Sequence, residues 1–460
     1  MSPERSLRPA IASASGLRPW GIYPPWSPVH GGSYIPRLND CRRCFPVVKV
    51  IDMSIKLYSC RSMSLAVCVA AAWVPAHASG FRLASHDAFA TARGEAFAAT
   101  ADNPSAVYYN PAGITQLEGH QARFGVYGIN LGVSYTRPAD GKKFDNSKDL
   151  HAVPQLFYTF TPEKSPVSFG FGAYSPYGLS SEWPEDTGFR SVVLGGKLTY
   201  LTLNPVVAWQ ITPTLSIGGG AMINYAEADL RSGLSPIAGV GQSRLNGSGW
   251  APGFNAGILW KLCEKVQIGL NYRSESRIPL DGYLDITSPV FSAHPDAKAE
   301  LPFPQTFVAG ISYRPTPDWN LEFDIEWNDW NRLNSMSVHA PQAPFLDSAI
   351  AFNWQSSFYY EFGATRHLGG GWSVSAGYIF NENSVPDHDF TPLVSDLDRH
   401  FVSFGGGYKH GRLSVDLAYQ LGYGPTRTVT GNPVNSSGQS ANGEYDFLSH
   451  ALLLSMGWHF

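Results

Sequence analysis

The chain of 460 residues lacks any apolar run long enough to cross a bilayer as a helix, which takes about 20 residues in succession. Its mean hydropathy of -0.14 is far below that of a helical membrane protein. Charge is scarce too, at 15% of residues, and a net charge of -4 gives no argument for nucleic acid or an acidic partner. Cysteine is almost confined to the first residues. Cys41, Cys44, Cys60 and Cys68 precede residue 79 and only Cys263 follows it, which excludes a disulfide or a Cys-ligated metal site from a mature chain beginning there. The 13 histidines show no metal-ligand spacing, so no metal or cofactor is expected. No pattern unites a nucleophile, a base and an orienting group, so no enzyme is expected either.

Aromatic residues and glycine are plentiful, at 13% and 46 residues, and the chain ends in strict alternation. Leu452, Leu454, Met456, Trp458 and Phe460 fall on one face of a strand, with Leu453, Ser455, Gly457 and His459 between them. A terminal phenylalanine closing such a strand is the usual ending of a bacterial outer-membrane β-barrel, and an edge strand of a soluble sandwich is the competing source of the pattern. Around Lys56 and Arg61, the apolar stretch Met63 to Val74 and then Ala76-His77-Ala78 have the three parts of a secretory signal, predicting residues 53–78 as signal peptide with cleavage after Ala78. Residues 1–52 are Pro- and Arg-rich without periodicity. They read as translation upstream of a true start at Met53, or as a disordered extension.

From residue 121 the separators between amphipathic runs alternate between short and long. The short ones are at 161–164, 212–213, 263–265, 315–317, 369–370 and 410–411. The long ones are near 138–149, 176–190, 231–243, 288–298, 339–351, 383–397 and 425–442. Six short turns and seven long loops predict fourteen strands. An even number of antiparallel strands with tight periplasmic turns is what a closed outer-membrane barrel requires, because closure leaves no unpaired edge in lipid. The fold class is therefore all-β, a 14-stranded transmembrane barrel over 121–460. In the run from Trp319, Leu321, Phe323, Ile325 and Trp327 oppose Asn320, Glu322, Asp324, Glu326 and Asn328. The carboxylates must face a hydrated interior, since a charge in mid-bilayer costs several kcal/mol. Trp209, Trp260, Trp319 and Trp372 lie near the short turns, where an aromatic girdle is expected.

Residues 79–120 lack this alternation. They are rich in small residues and punctuated by Asn103-Pro104 and Asn110-Pro111, each of which starts a turn. Such a segment before the first strand is expected to be a plug in the lumen. With Gly80-Phe81, Arg93-Gly94, the turn at Asp102 and Asn110-Pro111-Ala112, it resembles the outer-membrane long-chain fatty-acid and hydrocarbon transporters of the FadL and TodX type. Further resemblance lies in Tyr174-Ser175-Pro176-Tyr177-Gly178-Leu179, Leu203-Asn204-Pro205 and Trp327-Asn328-Asp329-Trp330.

The resemblance implies an N-terminal hatch carrying Gly80, Phe81, Arg93, Asp102, Asn110, Pro111 and Ala112. It also implies passive uptake of an apolar ligand and lateral exit near a kinked third strand, predicted at 165–175, with Tyr174, Pro176 and Gly178 at the opening. Proline removes a ladder donor and glycine weakens pairing, which suits a gap in the wall or an ordinary loop start. The loops that build the family's outer adsorption groove are short here, with Leu234, Ile237, Val290 and Phe291 as its apolar residues. Arg273 alternates with the outward face of its strand and points inward, either to a ligand carboxylate or to lumen carboxylates such as Glu322, Asp324, Glu326, Glu361 or Asp416. The expected partners are a hydrophobic small molecule, most of all a long-chain fatty acid, outer-membrane lipid, and the barrel assembly machinery through the C-terminal strand, for a monomer in the bacterial outer membrane. A porin for small hydrophilic solutes and an aromatic-hydrocarbon channel are the alternatives; a plugged lumen separates the first from a transporter.

Overall fold

The computed structural model describes residues 80–83, 85–147 and 150–460, all within the compact unit Trp73–Phe460. The predicted signal peptide, its cleavage site and the start at Met53 lie outside the described residues. Fourteen antiparallel strands close into a barrel. They are β1 (Gly119–Thr136), β2 (Leu150–Thr161), β3 (Val167–Tyr174 and Gly178–Glu182), β4 (Gly195–Thr212), β5 (Leu215–Gly233), β6 (Gln242–Cys263) and β7 (Val266–Arg273 and Ser276–Thr287). There follow β8 (Asp296–Phe303 and Thr306–Tyr313), β9 (Trp319–Asn328 and Ser335–His339) and β10 (Ser348–Ala351 and Ser357–Gly369). The last are β11 (Trp372–Asn381), β12 (Arg399–His410), β13 (Leu413–Val429) and β14 (Gly443–His459). Closure is made by β1 against β14, with Gln121 opposite His459 and Thr136 opposite Glu444.

Alternation sorts the side chains as expected. On β14, Leu452, Leu454, Met456 and Trp458 are exposed outward while Leu453 and Ser455 are buried. On β9, Glu322, Asp324 and Glu326 are buried on the inner face. Trp209, Trp260, Trp319 and Trp372 are exposed near the tight turns, which face the periplasm in barrels of this kind.

Several loop boundaries differ from the sequence reading, because strands run into the predicted loops: Lys143–Asp145 pairs with β1 within 138–149, and β8 begins at Asp296 within 288–298. Gly178–Glu182 occupies part of 176–190, β13 continues to Val429, and Ser348–Ala351 forms the first part of β10. Five strands are also interrupted, which alternation alone did not reveal. The breaks in β9 and β10 turn Trp330 and Trp354 inward, where both are fully buried.

Residues 80–117 form two short helices, α1 (Ala88–Ala92) and α2 (Ala106–Tyr109), and a 3-10 turn at Pro111–Gln116. Asp87 caps α1, accepting from Phe89 N at 3.1 Å and Ala90 N at 3.2 Å. The segment touches inward-facing residues of many strands. Glycines line that contact, since a β-carbon at Gly269 would collide with Ala98 and one at Gly377 with the Arg93–Gly94 backbone.

Candidate ligand cavity and a gap in the barrel wall

β2 pairs with β3 only between Leu156–Phe160 and Phe169–Ala173. Beyond that, residues 150–155 of β2 pair with β1 alone, and Gly178–Glu182 of β3 pairs with β4 alone. The wall is therefore unpaired between these strands until Ser147 N reaches Glu182 O at 2.9 Å. Pro176 lies at the start of the gap, where its missing N–H costs no ladder bond. The bent backbone turns inward to the N-terminal segment: Leu83 N donates to Pro176 O at 2.9 Å and Gly178 N to Phe81 O at 3.0 Å. Gly178 leaves room there, since a β-carbon would stand 2.8 Å from Leu83 Cδ1.

Behind the gap lies a cavity of ≈ 100 Å³. Its apolar lining includes Phe81, Leu83, Ile129, Leu179 and Phe401, with Asn381, Gln420 and Arg399 as polar members. Phe81 plugs one side, packed against Trp330 with ring centroids 4.9 Å apart and against Trp354 at 5.5 Å. Gly80, at φ +57, has no space for a side chain beside Trp354, and its N–H donates to Asp396 at 3.2 Å. Arg399 stands over the Phe447 ring at 4.5 Å. Its Nη2 is 3.6 Å from Asp396 Oδ1, yet its buried Nε has no hydrogen-bond partner. An under-partnered guanidinium beside an apolar void is a ready receptor for a carboxylate.

The N-terminal segment is held by ion pairs and backbone donors. Arg93 reaches Asn320 at 2.9 Å and Glu322 at 3.1 Å, while Phe97 N and Ala98 N donate to Asp324 at 2.9 and 2.8 Å. Arg82 pairs with Glu326 at 2.5 Å. Asn110 Nδ2 donates to Ala98 O at 2.8 Å and to Ile258 O at 3.0 Å, while its Oδ1 accepts from Ala112 N at 3.1 Å. Pro111 opens the 3-10 turn that follows. Asp102 pairs only peripherally, with Arg314 at 3.4 Å. Glu95 is fully buried and takes a hydrogen bond from the Tyr109 hydroxyl; burial raises its pKa to about 7.

Several sequence-predicted residues converge here and others do not. Tyr174, Pro176 and Gly178 border the gap, and Gly80 and Phe81 border the cavity. Arg273 points inward, but it pairs with the Tyr108 carbonyl and stacks 3.6 Å from that ring rather than meeting the lumen carboxylates. A tyrosine of the segment itself occupies it. Leu234, Ile237, Val290 and Phe291 are exposed on the loops, away from the cavity lining. Arg399 and Asp87 were missed. The inward alternation of Arg399 with Phe401 and Ser403, and an Asp placed directly before Ala88-Phe89-Ala90, were the available signals.

The family model for outer membrane protein transport proteins (OMPP1/FadL/TodX) matches residues 68–460. The chain belongs to the FadL/TodX family. Within that family it is 24% identical over 409 residues to the long-chain fatty acid transport protein of Salmonella typhi, covering 80% of this chain and 93% of the relative. It is 26% identical to outer membrane protein P1 of Haemophilus influenzae, covering 75% and 86%. The crystal structure of a Pseudomonas aeruginosa FadL homologue shares the fold, with TM-score 0.74 at 18% identity over 83% of this chain and 99% of that one. The Pseudomonas putida toluene transporter TodX does so with TM-score 0.65 at 16% identity, over 83% and 100%. Membership and the closed barrel place the protein in the bacterial outer membrane as a transporter of hydrophobic small molecules. The FadL/TodX family comprises transport proteins, which fits a chain without catalytic activity.

Proposed function

We propose that the protein carries long-chain fatty acids passively across the outer membrane, through the cavity behind Phe81 and sideways into the membrane through the gap between β2 and β3. Residues 80–117 act as the hatch. The observation that carries this reading is the apolar cavity that adjoins an unpaired stretch of wall and is lined by the half-buried Arg399, whose Nε has no hydrogen-bond partner. At ≈ 100 Å³ the cavity is below the several hundred Å³ of a typical ligand pocket, so a long acyl chain enters as Phe81 withdraws from its aromatic cage. Arg399 takes the carboxylate, and the chain lies along Ile129 and Leu179 toward the gap. A porin would need an open lumen, and the contacts of residues 80–117 with the inner wall argue against one. Closure of β1 on β14 leaves no free edge for association, which supports a monomer, and β14 with Phe460 is the element offered to the assembly machinery.

Competition binding of oleate and toluene to purified, detergent-solubilised protein tests the ligand. Arg399→Leu is expected to weaken oleate at least tenfold, the scale of a charge-assisted hydrogen bond, and to leave toluene unchanged. Oleate binding that ignores the substitution while toluene displaces it fully would favour the aromatic-hydrocarbon reading.

A further inference from the structure

A second cavity of ≈ 380 Å³ lies at the tight-turn end of the lumen, below the first. The same strands line both. β1 supplies Tyr127 and Ile129 above and Arg123 below, β12 supplies Arg399 above and Lys409 below, and β13 supplies Gln420 above and Asp416 below. From Arg123 to Tyr127 is about 13 Å of strand, close to the thickness of one helix. That helix is α1. Its Ala88 and Ala92 pack against Ala418, Ala451 and Leu453, so the partition is made largely of small side chains.

A buried ion triad holds the partition. Arg123 pairs with Asp87 through Nε and with Asp416 through Nη2 at 2.8 Å. Asp87 also caps α1 and accepts from Asn103 Nδ2 at 3.2 Å, so one carboxylate ties the helix, the following turn and β1 together. The lower cavity is electropositive. Asp102 and Asp416 are engaged by Arg314 and Arg123, whereas Lys409 and Arg412 have no carboxylate within ion-pair distance among the described residues. Cations without counter-ions around a hydrated vestibule attract anions.

We propose that the lower cavity is the vestibule of a second conduit, from the ligand cavity to the periplasm, selective for small organic anions and gated by Asp87–Arg123–Asp416. An incoming carboxylate exchanges with Asp87 for Arg123, which frees α1 from β1 without leaving the guanidinium unpaired. Lys409 and Arg412 then draw the anion onward. This conduit is distinct from the lateral gap between β2 and β3 and does not depend on what passes there.

Planar-bilayer recording on the full-length protein tests it. Asp87→Asn retains an oxygen to cap α1 but removes the charge that holds Arg123, and it should raise conductance several-fold with a reversal potential on the anion side in a salt gradient. Hexanoate should carry current. Adding Lys409→Ala and Arg412→Ala should abolish the anion preference. Asp416→Asn serves as the second opening variant if Asp87→Asn yields no heat-modifiable, folded protein. The proposal is overturned if the folded opening variant conducts no better than the parent, or if its selectivity is indifferent to Lys409 and Arg412.

Discussion

Glu95 shows how a single buried group couples the N-terminal segment to its surroundings. Its carboxyl is fully buried beside Tyr109, with Arg82 nearby, and burial raises its pKa from 4.5 to about 7. The seated segment therefore binds a proton that the unseated one releases between these values. Stability from this group is fully present below pH 4.5 and is lost as pH rises through 7. Amide exchange across residues 88–109 should accelerate over that interval, by up to about 3 kcal/mol of opening free energy. Glu95→Gln should flatten the dependence, and an unchanged profile in the variant would assign it elsewhere. At this scale the sequence was partly legible. Asn110, Phe81 and Arg93 occupy anchoring positions, whereas Glu95, Asp87 and Arg399 acquire their roles from burial and from side chains on other elements, such as Tyr109, Arg123 and Phe447, which spacing cannot show.

Among elements, the tight turns and the inward and outward rows were readable because a strand's period of two is imposed by lipid on one side. The interruptions were not, because they answer to tertiary demands: Trp330 and Trp354 leave the wall to cage Phe81, and β3 bends to pair with Phe81–Leu83. Glycines carry a related message. Their number was plain in the sequence, but which of them face the segment was not. Gly377→Ala should push on the Arg93–Gly94 backbone and loosen residues 88–109 by about 1–3 kcal/mol, the usual scale of overpacking. Gly406→Ala, where an added β-carbon meets only Ser373 O at 3.6 Å, should be silent in the same amide-exchange measurement.

The whole molecule is a barrel closed by its first and last strands, and Phe460 secures the seam: its N–H donates to His120 O at 3.0 Å, while its side chain is exposed on the outer face. Deleting Phe460 should lower the yield of heat-modifiable, folded protein without changing ligand affinity in the fraction that folds. The strand number, the compartment and the family were all legible from alternation, turn spacing and the segment before β1. The proposed route through the wall has only a proline and a glycine, Pro176 and Gly178, as its signal in the sequence. Lateral passage is the central claim, and sealing the gap tests it most directly. Pro176→Thr with Gly178→Val restores a ladder donor and an extended strand former beside β2. Uptake of radiolabelled oleate by cells producing this double variant should fall to background while purified variant still binds oleate. Undiminished uptake by a folded, sealed barrel would contradict the account.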